Sequence, residues 1–293
     1  GEYIIDAIFG SGLSKPVKGF AGEVIAYINN SGLKVISVDI PSGLFADQCS
    51  VGSGGAIVRA DYTLSFEFPK KAFMFAENLE YVKEWEIMSI GLHPDFINSL
   101  DKTDYFLLKS DVKALIRIRR KFDHKGRFGH ALLISGSYGK MGAAVLASEA
   151  CLRAGAGLVT THVPRNGYGV IQTGLPEAMA SIDRSDHAFT EVPKLDGYTA
   201  IAVGPGIGQS AETATALKVL IQNAGMPLIF DADAINILGE NRTWLSFIPP
   251  GSVFTPHPRE FERLAGKSGN AFERDKLQRE FSVKYGAYVV LKG

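Results

Sequence analysis

The chain is short of cysteine, of net charge and of long apolar runs, and each shortage narrows what it is. Its two cysteines, Cys49 and Cys151, are too few for a disulfide framework, and no Cys/His cluster has zinc-ligand spacing. Both read as small apolar packing residues. Lysine plus arginine and aspartate plus glutamate each number 31, which leaves no electrostatic footprint for nucleic acid or an anionic membrane. A small-molecule ligand is the expectation that remains. No apolar run reaches the roughly 20 residues of a membrane span, and no basic segment followed by an apolar core opens the chain. A soluble, cytoplasmic protein is expected. The chain begins without Met, and Tyr3 to Phe9 already reads as a core strand, so residues are expected to be missing upstream, where a targeting signal would be hidden. Internal repeats and low-complexity tracts are also lacking.

At 293 residues there is chain enough for about two domains. The stretch from Lys125 to Val163 contains a complete strand, turn, helix and strand. Ala131 to Ser135 is a short apolar run of the kind buried on both sheet faces. Gly136, Gly139 and Gly142 permit a tight turn, an Ala/Leu-rich helix follows from Ala143 to the glycines at 155 and 157, and Leu158 to Val163 resumes as a strand. A glycine turn at a helix N-terminus favours an anion or a polar ligand. GSYGKMG lacks the Gly-Lys-Ser/Thr ending of a P-loop and the G-x-G-x-x-G spacing of a dinucleotide fingerprint. A ligand loop and a tight structural turn both remain open for it.

Before this unit, Tyr3 to Phe9 leads into Gly10-Ser11-Gly12, Gly22 to Asn30 is amphipathic enough for a helix, and Lys34 to Val38 is a β-branched strand ending in Asp39-Ile40-Pro41-Ser42-Gly43. Ligands of open α/β sheets sit outside the carboxyl ends of the strands, so Asp6, the Gly10 to Pro16 loop, Asp39 and Ser42 belong to one candidate pocket. The alternative for Asp39 is a turn-forming residue before Pro41. DYTLSFEF and EWEIMSI alternate as further strands. From His93 to Asp123 that rhythm breaks, and the domain boundary is placed there. Arg117, Arg119, Arg120 and Lys121 form either an anion patch or a solvated face.

The second half repeats one device. Tyr198 to Val203 runs into Gly204-Pro205-Gly206-Ile207-Gly208, with Ser210 placed to cap a helix; Leu228 to Phe230 runs into Asp231-Ala232-Asp233-Ala234-Ile235-Asn236; Ser252 to Phe254 runs into Thr255-Pro256-His257-Pro258-Arg259-Glu260. A helix from about Phe272 and a strand at Tyr288 to Leu291 close the chain before Lys292 and Gly293. Glycines, acids and a histidine thus arrive together at one rim of a parallel sheet. His257 is flanked by two prolines that fix its backbone, with Glu260 and Arg263 following at helical spacing.

These motifs carry a family resemblance. GSYGKMGAA, LRAGAGLV, GPGIG, DADAIN, TPHPREFERL and VVLKG, in this order, resemble the ribokinase-like domain of the bifunctional NAD(P)H-hydrate repair enzymes; DAIFGSGL, VDIPSGL, ADYTLSF and Pro69-Lys70 resemble their epimerase domain. The fold implied is α/β throughout: a Rossmann-like, three-layer domain over residues 1–100, a linker over 101–123 and a ribokinase-like domain over 124–293. The activity implied is repair of hydrated NAD(P)H, by interconversion of its R and S epimers and nucleotide-dependent dehydration of the S form, in a homo-oligomer. ADP or ATP, potassium and magnesium are the implied cofactors. Residue by residue, the resemblance places potassium on Asp6 and Ser42, and the hydrate on Gly10, Ser11, Gly12, Leu13, Ser14, Lys15, Pro16 and Asp39, with Asp39 as the candidate catalytic group of epimerisation. In the second domain it places the hydrate against Ala143, Gly206, Gly208 and the segment His257, Pro258, Arg259, Glu260, Phe261, Glu262 and Arg263, and ADP at Lys292 and Gly293. The family's dehydratase base is expected beyond Gly293 and another potassium ligand upstream of Gly1, so the chain resembles a fragment cut at both ends, impaired or inactive in dehydration. A ribokinase-like small-molecule kinase and a non-catalytic nucleotide-binding protein are the alternatives.

Overall fold

A computed structural model describes residues 2–50, 52–116 and 118–292. The chain forms two compact units, Gly1–Arg117 with Gly269–Glu273, and Ile118–Ser268 with Arg274–Gly293. Arg117, one member of the basic run, and Gly293 lie outside the described residues.

The first unit is built on a parallel sheet of β1 (Tyr3–Asp6), β2 (Lys34–Val38), β3 (Ala60–Phe66) and β4 (Val82–Met88), which lie side by side in chain order. Helix α1 (Gly19–Asn30) crosses from β1 to β2 and buries Ile25 and Ile28 with Val17, Val35 and Val58. The strand expected from Tyr3 to Phe9 is shorter, ending at Asp6, and it is not a core strand. Tyr3 and Ile5 project from the other sheet face and are 55% and 61% exposed; Tyr62, Phe66 and Met88 are also exposed there. Helices α2 (Pro94–Ser99) and α3 (Lys109–Leu115) are short and bury no residue.

The second unit holds a sheet whose order is the key to its site. Its strands are β5 (His130–Ile134), β6 (Leu158–Val163), β7 (Met179–Ile182), β8 (Ala200–Val203), β9 (Leu228–Phe230), β10 (Val253–Phe254) and β11 (Tyr288–Val289), all parallel in the order β11-β10-β9-β8-β5-β6-β7. The chain starts in the middle at β5, moves outward to β7, then returns to β8 on the other flank of β5. The β5/β8 junction is therefore a topological switch point. Leu132, Ile134, Leu133 and Ala131 of β5 are all buried, as the unbroken apolar run requires of a central parallel strand.

Helices α4 (Met141–Arg153) and α5 (Tyr168–Gly174) pack with Ala131, Leu133, Val159 and Val163 on one side. Helices α6 (Ala211–Asn223), α7 (Ala232–Glu240), α8 (Pro258–Ala265) and α9 (Ala271–Tyr285) belong to the larger cluster around Ile201, Val203, Phe230, Phe254 and Phe261. Ser210 caps α6 as expected, its hydroxyl accepting from the Thr213 amide at 3.2 Å. The segment between β6 and β8, silent in the sequence, contains α5, β7 and a loop hung on one carboxylate. Buried Asp183 accepts from the amides of Ser185, Thr190 and Glu191 at 2.8, 2.8 and 2.9 Å and from the Thr190 hydroxyl at 2.6 Å, and it pairs with buried His162 at 3.2 Å.

Burial by itself would raise the Asp183 pKa, but the hydrogen bonds from His162, Thr190 and Ser185 outweigh it and hold the carboxyl well below the usual range. A depressed carboxyl contributes stability in full above the unfolded-state value of about 4 and loses it as pH falls toward the folded value. Asp183→Asn should therefore cost about 2 kcal/mol at pH 7, and the gap from the parent should narrow steadily below about pH 4. Urea melts from pH 7 to pH 2.5 measure both, and a gap that stays constant would assign the role to shape rather than charge.

Candidate functional site

Two loops meet at the switch point and are bonded to each other. After β5, Ser135 Oγ donates to Pro205 O at 2.6 Å, Gly136 N donates to the same carbonyl at 2.8 Å, and Ser137 Oγ donates to Gly206 O at 2.7 Å. The GPGIG turn after β8 thus has its carbonyls taken up by the turn that precedes α4. The fit is close enough to demand glycine. Gly206 has φ +70°, and a β-carbon there would lie 2.9 Å from Ala143 Cβ; Gly204 has φ +139°, and a β-carbon there would lie 1.8 Å from Asp231 O.

A third loop closes the arrangement. Asp233, in the first turn of α7, accepts from the Gly208 amide at 2.9 Å and the Gln209 amide group at 2.8 Å and pairs with Lys140 at 3.3 Å. Burial pushes its carboxyl up, yet the hydrogen bonds from Gln209 and Gly208 and the charge of Lys140 hold it below the ordinary value. Both oxygens are committed, which makes Asp233 a clamp and a poor proton acceptor. Next to it, Asp231 Oδ1 accepts from the Thr255 hydroxyl at 2.7 Å and pairs with Lys292 at 2.8 Å, joining the ends of β9, β10 and β11.

His257 is the N-cap of α8: its Nδ1 accepts from the amides of Arg259 and Glu260 at 3.2 and 3.4 Å, while Nε2 faces Glu260 Oε1 at 3.2 Å. Glu260 returns the bond by accepting from the His257 amide at 2.9 Å, a complete capping box. Nδ1 accepting assigns the Nε2–H tautomer. The prolines and the cap together fix the ring, which remains half exposed. The rest of the segment diverges. Arg259 points to solvent, Phe261 is fully buried against Phe281, and Arg263 bonds Asn236 on α7, so Phe261 seats the helix in the core.

In the first unit, Asp6 Oδ2 accepts from Ser37 Oγ and the Ser42 amide, both at 2.8 Å, and Ser42 Oγ accepts from the Phe9 amide at 2.8 Å. The ends of β1 and β2 are brought together through this pair, with the loop from Gly10 attached. Gly10, Ser11, Gly12, Ser14, Lys15 and Pro16 are exposed, and Leu13 is half-buried. Asp39 has φ +68°, a left-handed conformation that a non-glycine residue adopts at a cost. Its carboxylate accepts from the Phe66 amide at 3.0 Å and pairs with Lys70 at 2.8 Å, and both side chains are largely buried. Lys70 also donates to the carbonyls of Phe66 and Phe68 at 3.2 and 3.3 Å.

The Asp39–Lys70, Asp233–Lys140 and Asp231–Lys292 pairs were not legible from spacing, since their partners are 31, 93 and 61 residues apart. The recurrence of acids at strand ends marked one partner of each pair and left the lysine partners unassigned. A cavity of about 180 Å³ lies beneath the rim, bordered by Pro205, Asp231 and Thr255. A cavity of about 810 Å³ lies at the other ends of the strands among Gly225, Phe247, Pro249, Pro250 and Tyr285, away from the clustered acids and glycines. Among the described residues no group of three or more His, Cys, Asp or Glu side chains is placed to hold a metal, and no helix is long and apolar enough to cross a membrane.

Residues 131–293 match the family model described as NAD(P)H-hydrate dehydratase, and residues 1–72 match that of the YjeF-related protein N-terminus. The whole chain aligns with the bifunctional NAD(P)H-hydrate repair enzymes Nnr of Coxiella burnetii, at 34% identity over 59% of that protein, and of Escherichia coli, at 31% over 55%. The chain therefore spans somewhat over half the length of these curated relatives. Among solved structures, a ribokinase-like superfamily protein of Enterococcus faecalis is 28% identical, with a TM-score of 0.55 over 66% of this chain and 69% of its own. An ADP/ATP-dependent NAD(P)H-hydrate dehydratase of Bacillus subtilis, co-crystallised with ATP and magnesium, is 30% identical, with a TM-score of 0.51 over 63% of this chain and 65% of its own.

If Asp233 clamps the rim, Asp233→Ala should speed hydrogen exchange of the Gly208 amide at least tenfold, the equivalent of about 1.5 kcal/mol for a bond to a charged acceptor. Amides within β5 and β8 should keep their rates. An unchanged Gly208 rate would mean that Ser135 and Ser137 hold the turn without it.

Proposed function

Because the chain belongs to the NAD(P)H-hydrate dehydratase family, matched across more than half its length, we propose that it takes part in repair of hydrated NAD(P)H. The second unit expels the C6 hydroxyl of the S hydrate at the expense of ADP or ATP, and the first interconverts the R and S epimers. The observation that carries the reading is the bonded pair of glycine loops at the β5/β8 switch point, within the matched segment. Hydroxide is a poor leaving group, and phosphoryl transfer to its oxygen makes departure easier; such chemistry depends on positioning and on stabilising charge. The clamped loops supply that positioning: Ala143 and Gly206 form a wall without side-chain bulk, and His257 offers a fixed, half-exposed ring edge.

Lys292, just beyond β11 and paired with Asp231, is assigned to the nucleotide phosphates in this reading; its position at the rim supports that. The Bacillus subtilis relative supports ADP or ATP with magnesium as the co-substrate. Potassium fits less well. Asp6 Oδ2 and the Ser42 hydroxyl are already engaged by the chain's own donors, and two side chains do not make a cation shell, so no step is assigned to that ion. In the first unit Asp39 holds the nicotinamide end or exchanges a proton with it, with Lys70 fixing the carboxylate. The domain limits that go with this reading are 1–100 and 124–293 with a linker between, supported by the boundary between the compact units at residue 117 and by the two matched ranges. A homo-oligomer in the cytoplasm completes the proposal.

Incubation of the S hydrate with ADP or ATP, followed by the absorbance of reduced nicotinamide, tests dehydration directly. His257→Ala and Gly206→Val should each weaken hydrate binding, measured by calorimetry, by tenfold or more; loss of the α8 N-cap should also cost the former about 1 kcal/mol of stability, so both are titrated at a temperature where thermal melts show them folded. Unaltered affinity in both would remove these residues from the pocket.

The epimerase half has its own test. Asp39→Asn should slow interconversion of the R and S hydrates by about 10² to 10⁴ if the carboxylate moves the proton, while nucleotide-dependent loss of the S form continues at its normal rate. Loss of both activities together would instead make Asp39 a structural residue.

A further inference from the structure

A cavity of about 390 Å³ opens on the far side of the turn that carries Ala143. That volume falls in the range of about 300 to 1,000 Å³ found for small-molecule pockets. Its base is packed tight: a β-carbon on Gly167 would lie 2.5 Å from the Met141 methyl group. Val170 of α5 lines one side, and Asn166 and Asp186 supply the polar groups. Tyr138 stands at the mouth, 71% exposed, with its ring edge-on to His187 at 5.0 Å and 83°.

The walls are tied together. Tyr138 N donates to His187 O at 2.8 Å, and Arg165 N donates to Ser185 O at 2.9 Å, so the turns after β5 and β6 are both stitched to the loop that Asp183 anchors. An exposed aromatic face beside a carboxylate and a carboxamide suits a purine nucleoside: the base stacks on the tyrosine, ribose hydroxyls donate to Asp186, and Asn166 pairs with the base edge. Asp186 is paired with Arg165 at 3.6 Å, so the wall carries no net positive charge to hold a bare phosphate.

We propose that this cavity is the subsite for the adenosine half of the hydrated dinucleotide, an assignment that rests on the function proposed above. The turn from Gly139 to Gly142 is the shared wall: Gly206 and Ala143 close against one side of it, and the cavity opens on the other. A dinucleotide whose nicotinamide end lies at Gly206 needs a second pocket next to it for its other half. The adenosine of ADP is the wrong tenant on position, because five strand spacings, roughly 24 Å, separate β6 from the β11 strand that leads to Lys292.

The test compares NADH hydrate with the hydrate of reduced nicotinamide mononucleotide, which lacks the adenosine, by calorimetry on the unsubstituted chain and on Tyr138→Ala and Val170→Trp. The parent should prefer the dinucleotide. Tyr138→Ala should reduce that preference about tenfold, in keeping with the loss of one stacked base, and Val170→Trp, which fills the cavity, should abolish it. Affinities for the mononucleotide and for ADP should stay at parent values in both. Equal binding of the two hydrates by the parent, or a preference that survives Val170→Trp, overturns the subsite while leaving the repair function standing. Loss of ADP affinity instead would assign the cavity to the nucleotide and also overturn it. A parent that binds neither hydrate fails the repair function itself and takes this inference with it.

Discussion

The carbonyl oxygens of Pro205 and Gly206 are the point on which the second unit turns. At most strand ends a loop is free to leave the sheet; here the loop after β8 has its acceptors occupied by Ser135, Gly136 and Ser137 from the loop after β5. A switch point ordinarily opens a crevice because the two chains depart toward opposite faces. Bonding the departing loops to each other narrows that crevice to a rim whose shape is set before any ligand arrives. Asp233 extends the same lock to the neighbouring strand through Gly208, Gln209 and Lys140. Pre-formed geometry of this kind reduces the ordering cost of binding.

The two aspartates of DADA separate what a short motif can serve. Asp231 sits at the strand end and holds Thr255 and Lys292; Asp233 lies one step into the helix and faces back across the sheet to Lys140. One spacing of two residues thus controls both flanks of the rim. In the first unit the division is similar. Asp6 is internal and ties strand ends, whereas Asp39 is held by Lys70 in a strained backbone conformation. Strain of this sort persists where surrounding contacts over-determine it.

Much of this was legible in the residues. The apolar runs at Ala131, Leu158 and Leu228 became strands, the helix cap at Ser210 followed from the chain's own punctuation, and glycines clustered where loops approach one another closely; that His257 caps α8 was not read from its proline flanks. Local pattern failed where the cause was distant. Tyr3 and Ile5 look like core residues and are exposed, together with Tyr62 and Phe66 of the interior strand β3 on the same sheet face, because alternation alone does not say which face is covered. Met179 to Ile182 is a short edge strand with little apolar signal, and nothing near Asp183 announces that it collects donors from residues as far on as Glu191 and from His162 behind it. Phe261 reads equally well as a motif residue and a core residue, and only packing on Phe281 distinguishes them.

The strand order also bears on when in folding the clamped rim is assembled. Neighbours β5 and β6 are joined by one helix, but β5 and β8 meet only after the intervening chain has been laid down, with His130 bonding to Thr199 across 69 residues. Contacts of long sequence separation carry the larger loop-closure cost and form slowly. The rim lies on that seam. Partly folded chains that already have α4 between its two strands would possess the glycine turn and lack its counterpart, so the rim is complete only once the long-range β5/β8 pairing has formed.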